Sequence, residues 1–307
     1  MVTAKDHHTD ITGRVDVTDP DSVCAAVLEI FQGRYPNEDC RLITRLYADF
    51  GALYRGEFDG FCACDTSYHD IQHVLDVSLA MARLVDGYEI NHTEDPLGVE
   101  MAIMGVALAL FHDAGYVRRV SETDIKHGAV FTRIHVSRSG EFMAEYFPRI
   151  GKQSWVQSCE KLVHFTGYEC QPDDIAVTDS KERIIGMLTG TADIMAQMAD
   201  VAYLEKCRDR LFQEFEIGGV TKQFSADGVE YVVYGSPEEL LLKTPAFIEH
   251  TIAVRLEDHF NGFYHQVAAH FNGHNPYMAS LKKNCDHLKA LIAQNDVSLL
   301  QGAAINP

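Results

Sequence analysis

Apolar residues recur at three- and four-residue steps along most of this chain, the spacing of amphipathic helices. Asp19-Pro20 pairs an N-cap with a proline at the first helical position and opens a helix to about Phe31. Leu42, Leu46, Phe50 and Leu53 mark a second, over about Asp39 to Tyr54. A third starts near Tyr68, carries Val74, Val77, Met81, Leu84 and Val85, and is expected to stop at Gly87. Asp95-Pro96 opens the next, whose run Met101 to Phe111 is apolar on nearly every side and ends in His112-Asp113. Gly115 then suits a left-handed stop. Further helices are expected over Gly128–Phe147, Lys152–His164, Ile184–Ala199 with Asp179 as its cap, and Val201–Phe215. Thr244-Pro245 and Asn275-Pro276 repeat the cap-proline signal.

Strand signals are confined to Val220–Phe224 and Val229–Tyr234, joined by the turn residues Ser225 to Gly228. The class is therefore mainly α with one small β-hairpin. No Gly/Ser/Pro-rich linker or repeat divides the chain. The expected organisation is a flexible leader over 1–19 and a single helical domain over 20–307. Its core would span 68–215, the hairpin 220–234, and C-terminal helices 237–295.

Composition changes the picture in two ways. The net charge of −19 disfavours nucleic acid and acidic membrane surfaces as partners. The eight cysteines are irregularly spaced in a long chain without a secretory signal, so free thiols in a reducing cytoplasm are expected. Cys62-Ala63-Cys64 lacks the spacing of a zinc knuckle. No apolar run reaches the ~20 residues of a membrane span. The oligomeric state is left open, a homodimer included.

The candidate chemistry lies in the core helices. A histidine and a carboxylate at the end of an apolar helix need a partner, because burying either alone is costly. A metal ion is one such partner; a histidine held neutral by its own neighbour is the other. His69 and His73 stand four apart, on one face of the expected third helix. Asp193 interrupts the apolar segment Ile184–Met198, where an unpaired charge is unexpected. Three helices thus offer His73, His112, Asp113 and Asp193, a mixed nitrogen–oxygen set suited to Mn, Fe or Zn and, with waters, Mg.

These residues resemble the H…HD…D signature of the HD-domain metal-dependent phosphohydrolases. Tyr68-His69-Asp70-Ile71-Gln72-His73 is similar to the Tyr-His-Asn-x-x-His motif in the catalytic domain of cyclic nucleotide phosphodiesterases. Thr191-Ala192-Asp193-Ile194 and Arg210 to Phe215 resemble later elements of the same domain. The resemblance covers about Tyr68 to Phe215. It implies an all-helical bundle around one or two divalent ions, with His69 as the acid that protonates the leaving oxygen and Asp113 shared between the ions. The order H…HD…H…H…D of binuclear members implies His135 and His164 as ligands of a second ion. After His-Asp the chain departs from the phosphodiesterases: Ala114-Gly115 stands where they carry a histidine and an asparagine, and no counterpart of their purine-holding glutamine is found.

Arg118, Arg119 and Arg133 follow the His-Asp pair in an otherwise acidic chain and are candidates for phosphate contact, a solvated charged face being the alternative. The resulting expectation is a metal-activated hydrolase of a phosphoester on a nucleotide-like small molecule. Two rivals carry the same ligands: a di-iron oxygenase of the HD superfamily, and a metal-holding module without turnover.

Overall fold

The computed structural model describes residues 7–225 and 227–295. It is mainly α, with one two-stranded antiparallel hairpin. In chain order the α-helices are α1 (Pro20–Arg34), α2 (Arg41–Tyr54), α3 (Ile71–Asn91), α4 (Val99–Phe111), α5 (His135–Arg149), α6 (Val156–Leu162), α7 (Ser180–Ala199), α8 (Tyr203–Lys206), α9 (Phe212–Ile217), α10 (Pro237–His250), α11 (Val267–His270) and α12 (Pro276–Ala293). The strands are β1 (Lys222–Phe224) and β2 (Glu230–Val232), paired with Gln223 opposite Tyr231.

α3 is the axis of the fold. It is buried on nearly every face and packs on α7, α4, α11 and α1. α4 is similarly enclosed: Val99–Tyr116 is apolar and long enough to cross a membrane by composition alone, but 83% of it is buried inside the protein. A helix buried all round has no polar face, and so its apolar residues show no single stripe.

Several local signals act as expected. Asp19 caps α1 by accepting from Asp21 N, Asp179 caps α7 from Lys181 N and Glu182 N, and Asn275 caps α12 from Met278 N. Others are overturned. Gly87 does not stop α3, which runs on to Asn91; a Cβ there would stand 1.9 Å from the Gln266 carbonyl oxygen, so the residue permits a close helix approach. Gly115 is not left-handed. It lies in a short 3₁₀ turn, where a Cβ would stand 1.9 Å from the His135 carbonyl oxygen. Thr244-Pro245 lies inside α10, whose start is Ser236-Pro237, with Ser236 accepting from Glu239 N. The expected helix from Gly128 divides into a 3₁₀ turn, Gly128–Phe131, and α5. The one from Lys152 divides into Gln153–Trp155, α6 and Val163–Phe165.

The leader expectation also fails where it can be followed. Residues 1–6 lie outside the described residues. Beyond them Thr9 bridges Asp16, and buried Asp10 accepts from Thr12, Arg14 N and Val15 N. Asp10 also pairs with buried Arg83 of α3 at 2.5 Å, and Arg83 in turn donates to Tyr277 of α12 at 2.7 Å. A leader that supplies half of a buried ion pair is part of the core.

Candidate metal centre and adjoining cavity

Asp70 sets the site's first corner. It caps α3 by accepting from His73 N at 2.9 Å, and Arg210 holds its other oxygen at 3.1 Å. His73 therefore lies in the first turn, facing inward. His69 precedes the cap and is not on the helix, so the shared helical face expected for His69 and His73 does not exist. The two rings meet edge to face all the same, 5.7 Å apart.

His112 ends α4, and its Nδ1–H donates to the Ala109 carbonyl at 2.8 Å. That bond fixes the ring and turns Nε2 into the site, the arrangement common among metal-ligating histidines. His135, the first residue of α5, repeats it with Thr132 O at 2.8 Å. Asp193 enters from the middle of α7.

These groups converge. The ligand atoms of His73, His112 and Asp193 all lie within 4.8 Å of one another, and the three residues are buried. His73 Nε2 is 3.4 Å from both Asp113 Oδ2 and Asp193 Oδ1. His112 Nε2 is 3.2 Å from Asp113 Oδ2 and 3.7 Å from Asp193 Oδ1. Ligand atoms ~2.1 Å from a common ion stand roughly 3.0–3.4 Å apart, so these separations suit a metal. Among the described residues, buried His112 Nε2 and Asp113 Oδ2 have no hydrogen-bond partner, which would be costly without an ion.

Asp113 has two faces. Oδ2 is turned to His73 and His112, while Oδ1 is 3.6 Å from His135 Nε2. Burial opposes charge on His73, but Asp113 and Asp193 outweigh it and raise the imidazole to about 10. His112 is raised too, its burial being overcome by Asp113. Burial would raise Asp113, yet the histidines hold it well below the ordinary carboxylate range. His135 is lowered, because burial exceeds its attraction to Asp113.

Not every expected ligand arrives. His164 sits in a 3₁₀ turn with Nδ1 3.5 Å from Glu169 Oε2, and it does not line the cavity beside the cluster. Two of the three candidate phosphate arginines are committed elsewhere. Arg118 binds Asp65 and the Ile125 carbonyl; Arg119 grips Glu145 through two bonds and lies over Phe61. Arg133 does line the cavity, although its Nη2 is held by the carbonyls of Gly219 and Lys222. All eight cysteines are free, with Cys62, Cys64 and Cys170 only partly buried.

The cavity holds about 570 Å³. His69, His112, Asp113, His135 and Asp193 line it, together with apolar side chains such as Leu211, Phe215, Leu240 and Phe247. His69 Nδ1 is 2.6 Å from Glu214 Oε2, and Tyr68 N donates to Glu214 Oε1 at 2.5 Å. Burial would raise the Glu214 carboxyl, but His69 and the Tyr68 amide bring it below its ordinary value. The Tyr116 ring lies against both His69 and His135, with centroids 4.5 and 4.4 Å away.

Glu214 and Tyr116 were not foreseen as site residues. A glutamate between Phe212 and Phe215 was the available sign, since an acid in an apolar helix needs a partner. Tyr116 gave no sign beyond its closeness to His-Asp. No family model, curated protein or solved structure matches the chain.

Proposed function

We propose that the protein is a metal-dependent phosphohydrolase acting on a phosphoester of a nucleotide-like small molecule, of the HD-domain kind its motifs resemble. The convergence of His73, His112, Asp113 and Asp193 from three helices beside a cavity carries this reading. A divalent ion held there supplies Lewis acidity toward a phosphoryl oxygen and makes water more acidic.

The chain's own residues supply the rest. His69 is the proton donor to the leaving oxygen. Its Nδ1–H is held by Glu214, which leaves Nε2 for the cavity, and Tyr116 against its face keeps the ring from turning. Glu214 stabilises positive charge on His69 without taking the proton. An ester cleavage gives this partly buried pair a task that an iron-dependent oxidation does not, and this favours hydrolysis over the oxygenase alternative. The apolar cavity walls bind the remainder of the substrate and exclude water.

The test is a hydrolysis screen of phosphomonoesters, cyclic nucleotides and nucleoside polyphosphates with Mn, Mg and Fe, run on protein whose metal content is measured. The expected outcome is metal-dependent release of product, lost in Asp113→Asn. Metal-loaded protein that cleaves nothing in the screen overturns the reading.

A further inference from the structure

Arg255 is buried within the π-helical segment Thr251–His259, remote in sequence from every residue of the metal cluster. π-helical turns are rare and cluster at functional sites. Arg255 does not line the cavity. Its Nη1 donates to Gly167 O and its Nη2 to Phe165 O, each at 2.8 Å. Its guanidinium carbon stands 4.3 Å from the centroid of the Tyr168 ring.

The stretch gripped in this way, Thr166 to Glu169, is irregular backbone that forms one wall of the cavity. Its far end is tied as well: Ser137 Oγ donates to Glu169 Oε2 at 2.5 Å. Tyr168 thus has one ring face on a guanidinium while 66% of the residue remains exposed. A large aromatic side chain left open at a cavity wall, with its other face backed by a buried arginine, is preorganised for a ligand.

We propose that Tyr168 is the platform on which the non-phosphate part of the ligand stacks, with Arg255 as its positioning residue. The site then selects an ester bearing a flat, aromatic or heteroaromatic group. This rests on reading the cavity as a phosphoester site. Stacking on a ring already fixed in place loses little side-chain entropy, so the contact adds affinity efficiently. Arg255 acts only through the loop and the ring, and it touches neither the metal cluster nor the ligand.

The test compares phenylphosphonate with cyclohexylphosphonate, which have similar bulk but differ in flatness. Each is titrated calorimetrically into the full-length protein, with and without Mn. Wild type is expected to favour the phenyl ligand by about twofold to tenfold. Tyr168→Phe keeps this preference and Tyr168→Leu abolishes it. Arg255→Met shrinks it toward unity with Mn uptake unchanged, and speeds amide exchange over residues 165–169. Equal affinity for the two ligands in wild type overturns the proposal, as does a preference that survives Tyr168→Leu, or no binding of either ligand. Arg255→Met weakening both ligands equally, with a falling melting temperature, assigns Arg255 a structural role and overturns its positioning role. Phosphonates are not cleaved, so the phenyl preference can be read even if the hydrolysis screen fails.

Discussion

Glu214→Gln removes one charge from the site and almost no volume. Wild-type Glu214 accepts two hydrogen bonds, from Tyr68 N and from His69 Nδ1–H, and the side chain is only 1% exposed. A glutamine can keep its carbonyl on Tyr68 N, which then turns its NH₂ toward His69 Nδ1. The imidazole must present an acceptor there, and a histidine in that tautomer is neutral and a poor acid. A hydrogen bond to a charged group contributes ~1.5–3 kcal/mol, so losing this one removes about 10–150-fold of the acid's assistance. The turnover of an ester with an alkoxide leaving group should fall by about the same factor. A p-nitrophenyl ester, whose leaving group needs no proton, should lose less than about threefold, because general-acid assistance is then superfluous. The assay is steady-state kinetics on both esters with metal-saturated enzyme, alongside melting temperature and metal content. Equal losses on the two esters would refute the proton-donor assignment. A large fall in metal content would show that Glu214 supports the cluster and not His69.

Four further outcomes follow from the same geometry. Mn at 100 times its Kd should stabilise the protein by ~2.7 kcal/mol and raise the melting temperature, and Asp193→Ala should lose that shift. His164→Ala should leave metal stoichiometry unchanged by elemental analysis, since its Nδ1 lies 3.5 Å from Glu169 Oε2 and the residue does not line the cavity beside the cluster. Gly115→Ala forces a Cβ to 1.9 Å from the His135 carbonyl oxygen; it should cost about 1–3 kcal/mol by denaturant melts and weaken metal uptake as His135 shifts. Asp76 is raised to about 7 by burial and by Asp200, and its Oδ1 is buried without a hydrogen-bond partner among the described residues. A carboxyl raised on folding contributes stability below its unfolded value and loses it as pH rises through the folded one. The Asp76→Asn variant should therefore be the more stable at pH 8, by on the order of 2–4 kcal/mol, with the gap closing toward pH 4.

The parts of this fold that the sequence made legible are those set by local chemistry. Asp19, Asp179 and Asn275 are caps because an acceptor beside free backbone N–H groups works wherever it sits. His73, His112, Asp113 and Asp193 stood out because polar groups in apolar helices must find one another. What escaped was set by distant partners. Nothing near Gly87 or Gly115 reveals the Gln266 or His135 carbonyl that excludes a Cβ. Pro245 has the same local form as Pro276, and the stronger cap at Ser236 decides between a helix start and a helix interior. Arg118 and Arg119 looked free until Asp65 and Glu145 were placed beside them. The order of histidines and aspartates that drew His164 into the ligand set carries no information on what surrounds its ring.

The pairing of α3 with α7 also governs when the centre can exist. Asp193 follows His73 by 120 positions (193 − 73). A ribosome adding ~5–20 residues per second takes about 6–24 s to cover that distance, after which α7 must still clear the exit tunnel. Through that interval a nascent chain displays His73, and later His112 and Asp113, without the carboxylate that completes the cluster. If the cluster holds a metal as proposed, affinity for it would arrive late, with the docking of α7, and the unfinished chain would be a weak scavenger of whatever ion is most abundant around it. Choice of metal would then be deferred to a stage when the helices have fixed the distances that discriminate one ion from another.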